Sequence, residues 1–133
     1  MSDLQDEYNK AMAVLNDLAK EYSVWVKDDL KRLDDAFLKA QALPVCDRDP
    51  VVRDELFRIA HDMKGQGATF DYELVTDIGN HLCRYIERQE SFDTPQMHAI
   101  KVHIDALHRV IENHLIGSGG KEGQDLKSSV EAF

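Results

Sequence analysis

Ile59-Ala60-His61-Asp62-Met63-Lys64-Gly65-Gln66-Gly67-Ala68-Thr69-Phe70 closes a helical pattern that begins near Pro50. Val52, Leu56, Ile59, Met63 and Phe70 recur at steps of three, four and seven, the spacing of one helix face. At about 100° per residue these five fall within roughly 60° of one another, and His61 lies roughly 180° from Val52. The apolar stripe therefore turns to a core and the histidine turns to solvent. Asp54, Phe57, Arg58, Lys64, Gly65 and Ala68 share the outward surface with it.

That surface is unusual for an exposed helix. Gly65 and Gly67 each weaken a helix interior by about 1 kcal/mol relative to alanine. Gly65 stands four residues after His61, the next outward position on its side. Close approach of another surface to the imidazole is a reason to strip the Cβ from that place. Lys64, three residues after His61, brings an ammonium within reach of an anion carried on the ring, for which a phosphoryl group is the natural candidate.

His61, Lys64 and Gly65 form a His-x-x-Lys-Gly pattern, with Ala68 at a small-residue position, Phe70 at an apolar one and Glu87 near the end of the next helix. The region from about Arg53 to Glu87 resembles the histidine phosphotransfer domain, a four-helix bundle that carries a phosphorylatable histidine. Gln66 and Gly67 stand where that family commonly has serine or alanine, Thr69 where it has asparagine, and Asp71 where it has glycine. The resemblance implies that His61 accepts a phosphoryl group, that Lys64 stabilises it, and that Gly65, Phe57, Ala68 and Gln66 border the surface where a partner docks. It also implies that the partners are receiver domains of response regulators or hybrid histidine kinases, which would supply the Mg²⁺; no cofactor is expected on this chain.

The composition sets the frame for this reading. A chain of 133 residues with 43% hydrophobic content is long enough to bury a core without metal or disulfide staples. Twenty-five acidic against 16 basic residues, a formal charge of −9, argue against binding to nucleic acid or an anionic membrane. Cys46 and Cys83 lie in unrelated contexts, and a reduced cytoplasmic protein is the simplest expectation. The sequence has neither a signal-peptide-like start nor the roughly 18 apolar residues needed to span a bilayer.

Along the chain, Leu4, Tyr8, Ala11, Met12, Leu15, Leu18, Ala19 and Tyr22 repeat with helical period, with Ser2 or Asp3 as N-cap. Trp25, Val26, Leu30, Leu33, Phe37 and Ala40 continue the pattern, with Ser23 available as a cap, and no glycine or proline decides whether Glu21 to Val24 breaks the two. Pro44 and Pro50 bracket a turn, with Asp49 as N-cap of the histidine helix. Asp71 is placed to cap a helix that turns Leu74, Ile78, Leu82, Tyr85 and Ile86 inward, where Gly79 would serve close helix contact. Thr94 as N-cap and Pro95 at the first turn open the last long helix, Met97 to Leu115, which Gly117 stops. The expected architecture is all-α: an antiparallel four-helix bundle with an additional N-terminal helix or helical extension. Residues 1–117 form one domain and 118–133 a flexible tail.

The remaining reactive side chains carry less. His98, His103 and His108 are separated by steps of five, which rotate by roughly 140° each and point them to three sides of their helix. No Glu-x-x-His pair of the kind a di-metal bundle uses occurs, so no metal site is expected. Cys83 reads as a half-buried structural thiol. No nucleotide-binding loop is present, so the chain is expected to carry phosphoryl groups rather than take them from ATP. The competing expectation is a helical-bundle adaptor that docks a signalling partner without chemistry.

Overall fold

The structure, a computed structural model, describes residues 2–133. The side chains of Ser2, Ala19 and Ser23 lie outside the described residues, and with them the expected caps at Ser2 and Ser23 and the stripe position of Ala19. Five helices are α1 (Ser2–Ala42), α2 (Phe57–Gly67), α3 (Glu73–Arg88), α4 (Thr94–Glu112) and α5 (Gly120–Glu131), with no strand among the described residues. None is long and apolar enough to cross a membrane.

α1 is one helix of 41 residues, so Glu21 to Val24 joins the two patterns rather than dividing them. With neither glycine nor proline before Leu43-Pro44, nothing stops it, and the residue before a proline is driven out of helical geometry. Only its second half enters the core, through Tyr22, Val26, Leu30, Leu33, Phe37 and Ala40. Leu4, Tyr8, Met12, Leu15 and Leu18 of the first pattern are exposed, and Trp25 of the second is 60% exposed.

The chain enters α2 through a 3₁₀ turn (Val45–Asp47), one α-helical turn (Arg48–Pro50) and a π-helical segment (Val51–Leu56). Asp49 is not the N-cap: it accepts from Arg53 Nε at 2.6 Å, and Asp47 stands at the N-cap without a side-chain capping bond. Arg53 then reaches across to the end of α3, donating through Nη1 to the Ile86 carbonyl at 3.0 Å and through Nη2 to the Gln89 carbonyl. It thereby adds charged donors at the end of that helix, where the Ile86 carbonyl also accepts from the Gln89 amide at 3.2 Å. The wider π turn changes the phase of the stripe. Val52 falls into line with Leu56, Ala60, Met63 and Gly67, all buried, while Ile59 and Phe70 move to the half-buried edge.

α2 and α3 pack tightly because Gly79 lets them. A Cβ there would lie 3.1 Å from Lys64 Cβ and 3.4 Å from the Ala60 carbonyl oxygen. Leu74, Ile78, Leu82, Tyr85 and Ile86 all face the core as expected. α1 packs on the π segment and α4, and α3 on α4, consistent with a four-helix bundle extended at the N-terminus.

Three helix ends differ from expectation. Asp71 does not cap α3; it sits at φ 64° in the left-handed region, and Tyr72 occupies the N-cap. Glycine adopts such a backbone most freely, and aspartate tolerates it better than most other side chains. Asp93 takes the N-cap of α4, which moves Thr94 inside the helix. α4 ends at Glu112, where Asn113 and a left-handed His114 turn the chain before Gly117 is reached.

The expected flexible tail is α5. It packs on α3 and α4, burying Val130 and Gly123, and brings the Phe133 ring 5.9 Å from His103 and 6.2 Å from Tyr85. Beneath it, His103 Nδ1 bonds to the Ala99 carbonyl at 2.7 Å and His103 Nε2 to His81 Nδ1 at 2.8 Å. Burial pulls the His103 pKa down to about 4, so Nδ1 donates to the carbonyl and Nε2 accepts from His81. This pair is part of the packing between helices.

Candidate functional site

His61 is exposed on α2, as the sequence indicates, because the stripe that turns inward runs through Ala60, Met63 and Gly67. Its ring stacks on Phe57, with centroids 6.1 Å apart and planes inclined by 24°. Phe57 is half-buried against the core, so it both closes the flank of the bundle and supports the imidazole from one side. Arg58 and Asp54 lie outward on the preceding turns, and Gln66 and Ala68 outward on the following ones. Glu87 is exposed on α3.

The two glycines of α2 have different purposes. Gly65 is exposed, and a Cβ added there would meet nothing within 4 Å. Gly67 is buried, and its Cβ would lie 2.7 Å from Thr76 Oγ1, 2.8 Å from the Tyr72 carbonyl oxygen and 2.9 Å from the Thr76 amide nitrogen. Gly67 exists so that the start of α3 can pass close by; no intramolecular contact accounts for Gly65. Gly67→Ala is therefore expected to lower stability by about 1–3 kcal/mol, the usual cost of overpacking against backbone. A denaturant midpoint equal to the parent's would show that α3 gives way without cost.

Lys64 is half-buried, its Cβ lying over Gly79 and its ammonium donating to Asn80 Oδ1 at 3.2 Å. The Lys64 carbonyl accepts from Thr76 Oγ1 at 2.8 Å. The lysine is thus held at its root by α3 and at its tip by an amide. Nothing in the sequence marks Asn80; only the neighbouring Gly79 points to a close helix contact beside the site.

α1 supplies a second flank that the periodicity concealed. Trp25 stands edge-on to Phe70 at 6.0 Å, which itself stacks on Tyr22 at 4.7 Å. Asp29 lies near enough to Asp62, the neighbour of His61, for the two carboxylates to interact. Burial first, then Asp62 and Asp28, push the Asp29 pKa above the usual carboxylate range against the pull of Arg32. Further along this flank an open groove of about 390 Å³ runs between α1 and the histidine helix, lined by Ala36, Lys39, Glu55, Arg58 and Ile59 among others.

No family model, curated protein or solved structure matches this chain. The candidate site therefore rests on its own geometry.

The other reactive groups do not converge. Among the described residues no three metal-ligating side chains come together. His98 is exposed, His103 is buried, and His108 Nε2 bonds to Asp34 at 2.9 Å, on three sides of α4. Cys83 is buried with its pKa pushed up to about 11, chiefly by burial, which leaves it a thiol and a poor nucleophile.

Proposed function

We propose that this chain is a phosphorelay histidine phosphotransfer protein, accepting a phosphoryl group on His61 from an aspartate of a receiver domain and passing it to another. The observation that carries the reading is an exposed imidazole with an open glycine one turn away and a lysine three residues on. The His-x-x-Lys-Gly resemblance supplies the family part of the argument.

The step follows from ordinary phosphoryl chemistry. The lone pair of a neutral ring nitrogen of His61 attacks phosphorus, the bond to the aspartyl oxygen breaks, and the carboxylate leaves with the electron pair. The second ring nitrogen gives its proton to solvent, leaving a phosphoramidate whose group-transfer potential permits the return reaction. Negative charge on the transferring group attracts the Lys64 ammonium, which needs only to turn from Asn80. Phe57 limits the tilt of the ring, and the bare Gly65 admits the receiver's backbone. Mg²⁺ would belong to the receiver.

The test is exchange with a panel of receiver domains charged with radiolabelled acetyl phosphate. Acid-labile, base-stable label on this chain supports the proposal. Absence of label from every receiver, and from phosphoramidate as a small donor, sinks it in favour of an adaptor that docks a signalling partner without chemistry. Lys64→Ala is expected to slow transfer roughly tenfold or more without stopping it, since the lysine stabilises charge rather than forming a bond. Alanine keeps the Cβ that covers Gly79, so the melting temperature should hold; a transfer rate unchanged within error would remove Lys64 from the mechanism.

A further inference from the structure

Every described residue from Asp3 to Glu21 is exposed, although the segment is helical throughout and its apolar residues are aligned. Leu4 is 78% exposed, Tyr8 61%, Leu15 56% and Leu18 40%, with Met12 and Val14 widening the seam on either side. Leu4, Tyr8, Ala11, Leu15, Leu18 and Tyr22 follow one another at intervals of four, three, four, three and four, the seven-residue repeat of helices that pair along a left-handed supercoil. Tyr22 ends the repeat inside the core, so one stripe passes from covered to bare.

We propose that the N-terminal half of α1 is a self-association element, in which two copies of this chain pair antiparallel along Leu4, Tyr8, Ala11 and Leu15. This inference is independent of the chemistry at His61.

Three observations select a second copy. First, the bare seam amounts to on the order of 600 Å² of apolar surface, at the upper end for the largest patch of a monomer. With its flanking stems it approaches the roughly 800 Å² that each partner contributes to a stable interface. A lone helix of this length is marginal in water without tertiary cover.

Second, the side chains fit one another in one direction. Antiparallel pairing sets Leu4 against the second copy's Leu15 and Tyr8 against its Ala11, a large residue over a small one in each inner layer. Parallel pairing would set Tyr8 on Tyr8 and Ala11 on Ala11, overfilling one layer and leaving the next hollow. On the antiparallel flanks Glu7 meets Val14 and Gln5 meets Met12, so no like charges face each other.

Third, the charges around the seam disfavour a lipid surface. Asp3, Asp6, Glu7, Asp17 and Glu21 outnumber Lys10 and Lys20, the wrong balance for an anionic bilayer.

The full chain should sediment as a dimer across roughly 1 to 100 µM. Leu15→Asp should weaken association by about 100-fold or more, because each dimer loses two layers and gains two buried charges. Its melting profile above the dimer transition should match the parent's, since Leu15 touches no core. Direction is read by disulfide trapping in a Cys46→Ser background, which removes the exposed thiol and leaves the buried Cys83. Chains carrying Leu4→Cys should cross-link to chains carrying Leu15→Cys and not to one another. A monomer throughout the range overturns the proposal, as does a dimer indifferent to Leu15→Asp, a Leu4→Cys chain that cross-links to itself, or a monomer that binds phosphatidylglycerol vesicles through this helix.

Discussion

His61→Gln should abolish phosphoryl acceptance while leaving the fold intact. The loss is expected to exceed about 100-fold, because no other side chain replaces a nitrogen that forms the bond. Stability should change by no more than about 0.5 kcal/mol, the usual range for an exposed side chain away from special features, since among the described residues the one ring contact His61 makes is with Phe57. The remaining histidines are internal controls. His81 and His103 bond to each other beneath α5, and His108 bonds to Asp34, so each has a ring nitrogen engaged. His98 and His114 are exposed, but neither has the whole His61 setting. The Lys101 that follows His98 is paired with Asp105, the His98 ring meets Phe133 edge-on and Val102 stands four residues on, while His114 is followed by Gly117 but by no lysine three residues on. His98→Gln and His114→Gln should each label like the parent. Mass-spectrometric mapping of the phosphorylated residue decides the matter, and label retained by His61→Gln at the parent's level would end the assignment.

The residues that made His61 legible are few, and they worked despite an error of phase. The straight α-helical wheel puts Ile59 and Phe70 within the buried stripe, whereas the π segment Val51–Leu56 rotates that face toward Ala60 and Gly67. His61 was far enough from the stripe to stay outside under either phase; Phe57 was not, and became a half-buried support. The helical class and the inward face of α3 followed from spacing alone, because Leu74, Ile78, Leu82, Tyr85 and Ile86 leave no other arrangement. Spacing does not say what a stripe packs against. The stripe of α1 has one period, yet its second half meets the bundle and its first half meets solvent.

α5 is hidden in the sequence for the opposite reason. Its few apolar residues, Leu126 and Val130 with Phe133 beyond, follow three glycines and read as linker composition. They nevertheless find cover on α3 and α4, and Lys127 pairs with Asp77 at 3.3 Å. Asn80 and Trp25 show a further limit. Neither carries a local signal, and each enters the site's surroundings only because α3 or α1 lies beside α2.

Gly65→Leu should separate folding from docking more sharply than any other substitution in the site. Nothing lies within 4 Å of a Cβ at Gly65, and the residue is exposed on a regular helix, so leucine meets no neighbour there. Helix propensity then favours the variant by somewhat under 1 kcal/mol, and the melting temperature should stay level or rise by a few degrees. Transfer from a receiver should fall by roughly 100-fold, because the new side chain fills the approach to the imidazole one turn away. Labelling by phosphoramidate should fall far less, since a small donor does not need that surface. Gly67→Ala is the counter-experiment: its Cβ meets Thr76 and the Tyr72 carbonyl, so it should lose stability and transfer together. Thermal melts run beside receiver and phosphoramidate assays on both variants give six readings from two glycines two residues apart. A Gly65→Leu chain that melts early, or that accepts from receivers at the parent's rate, would show that the bare position is not the route by which a partner reaches His61.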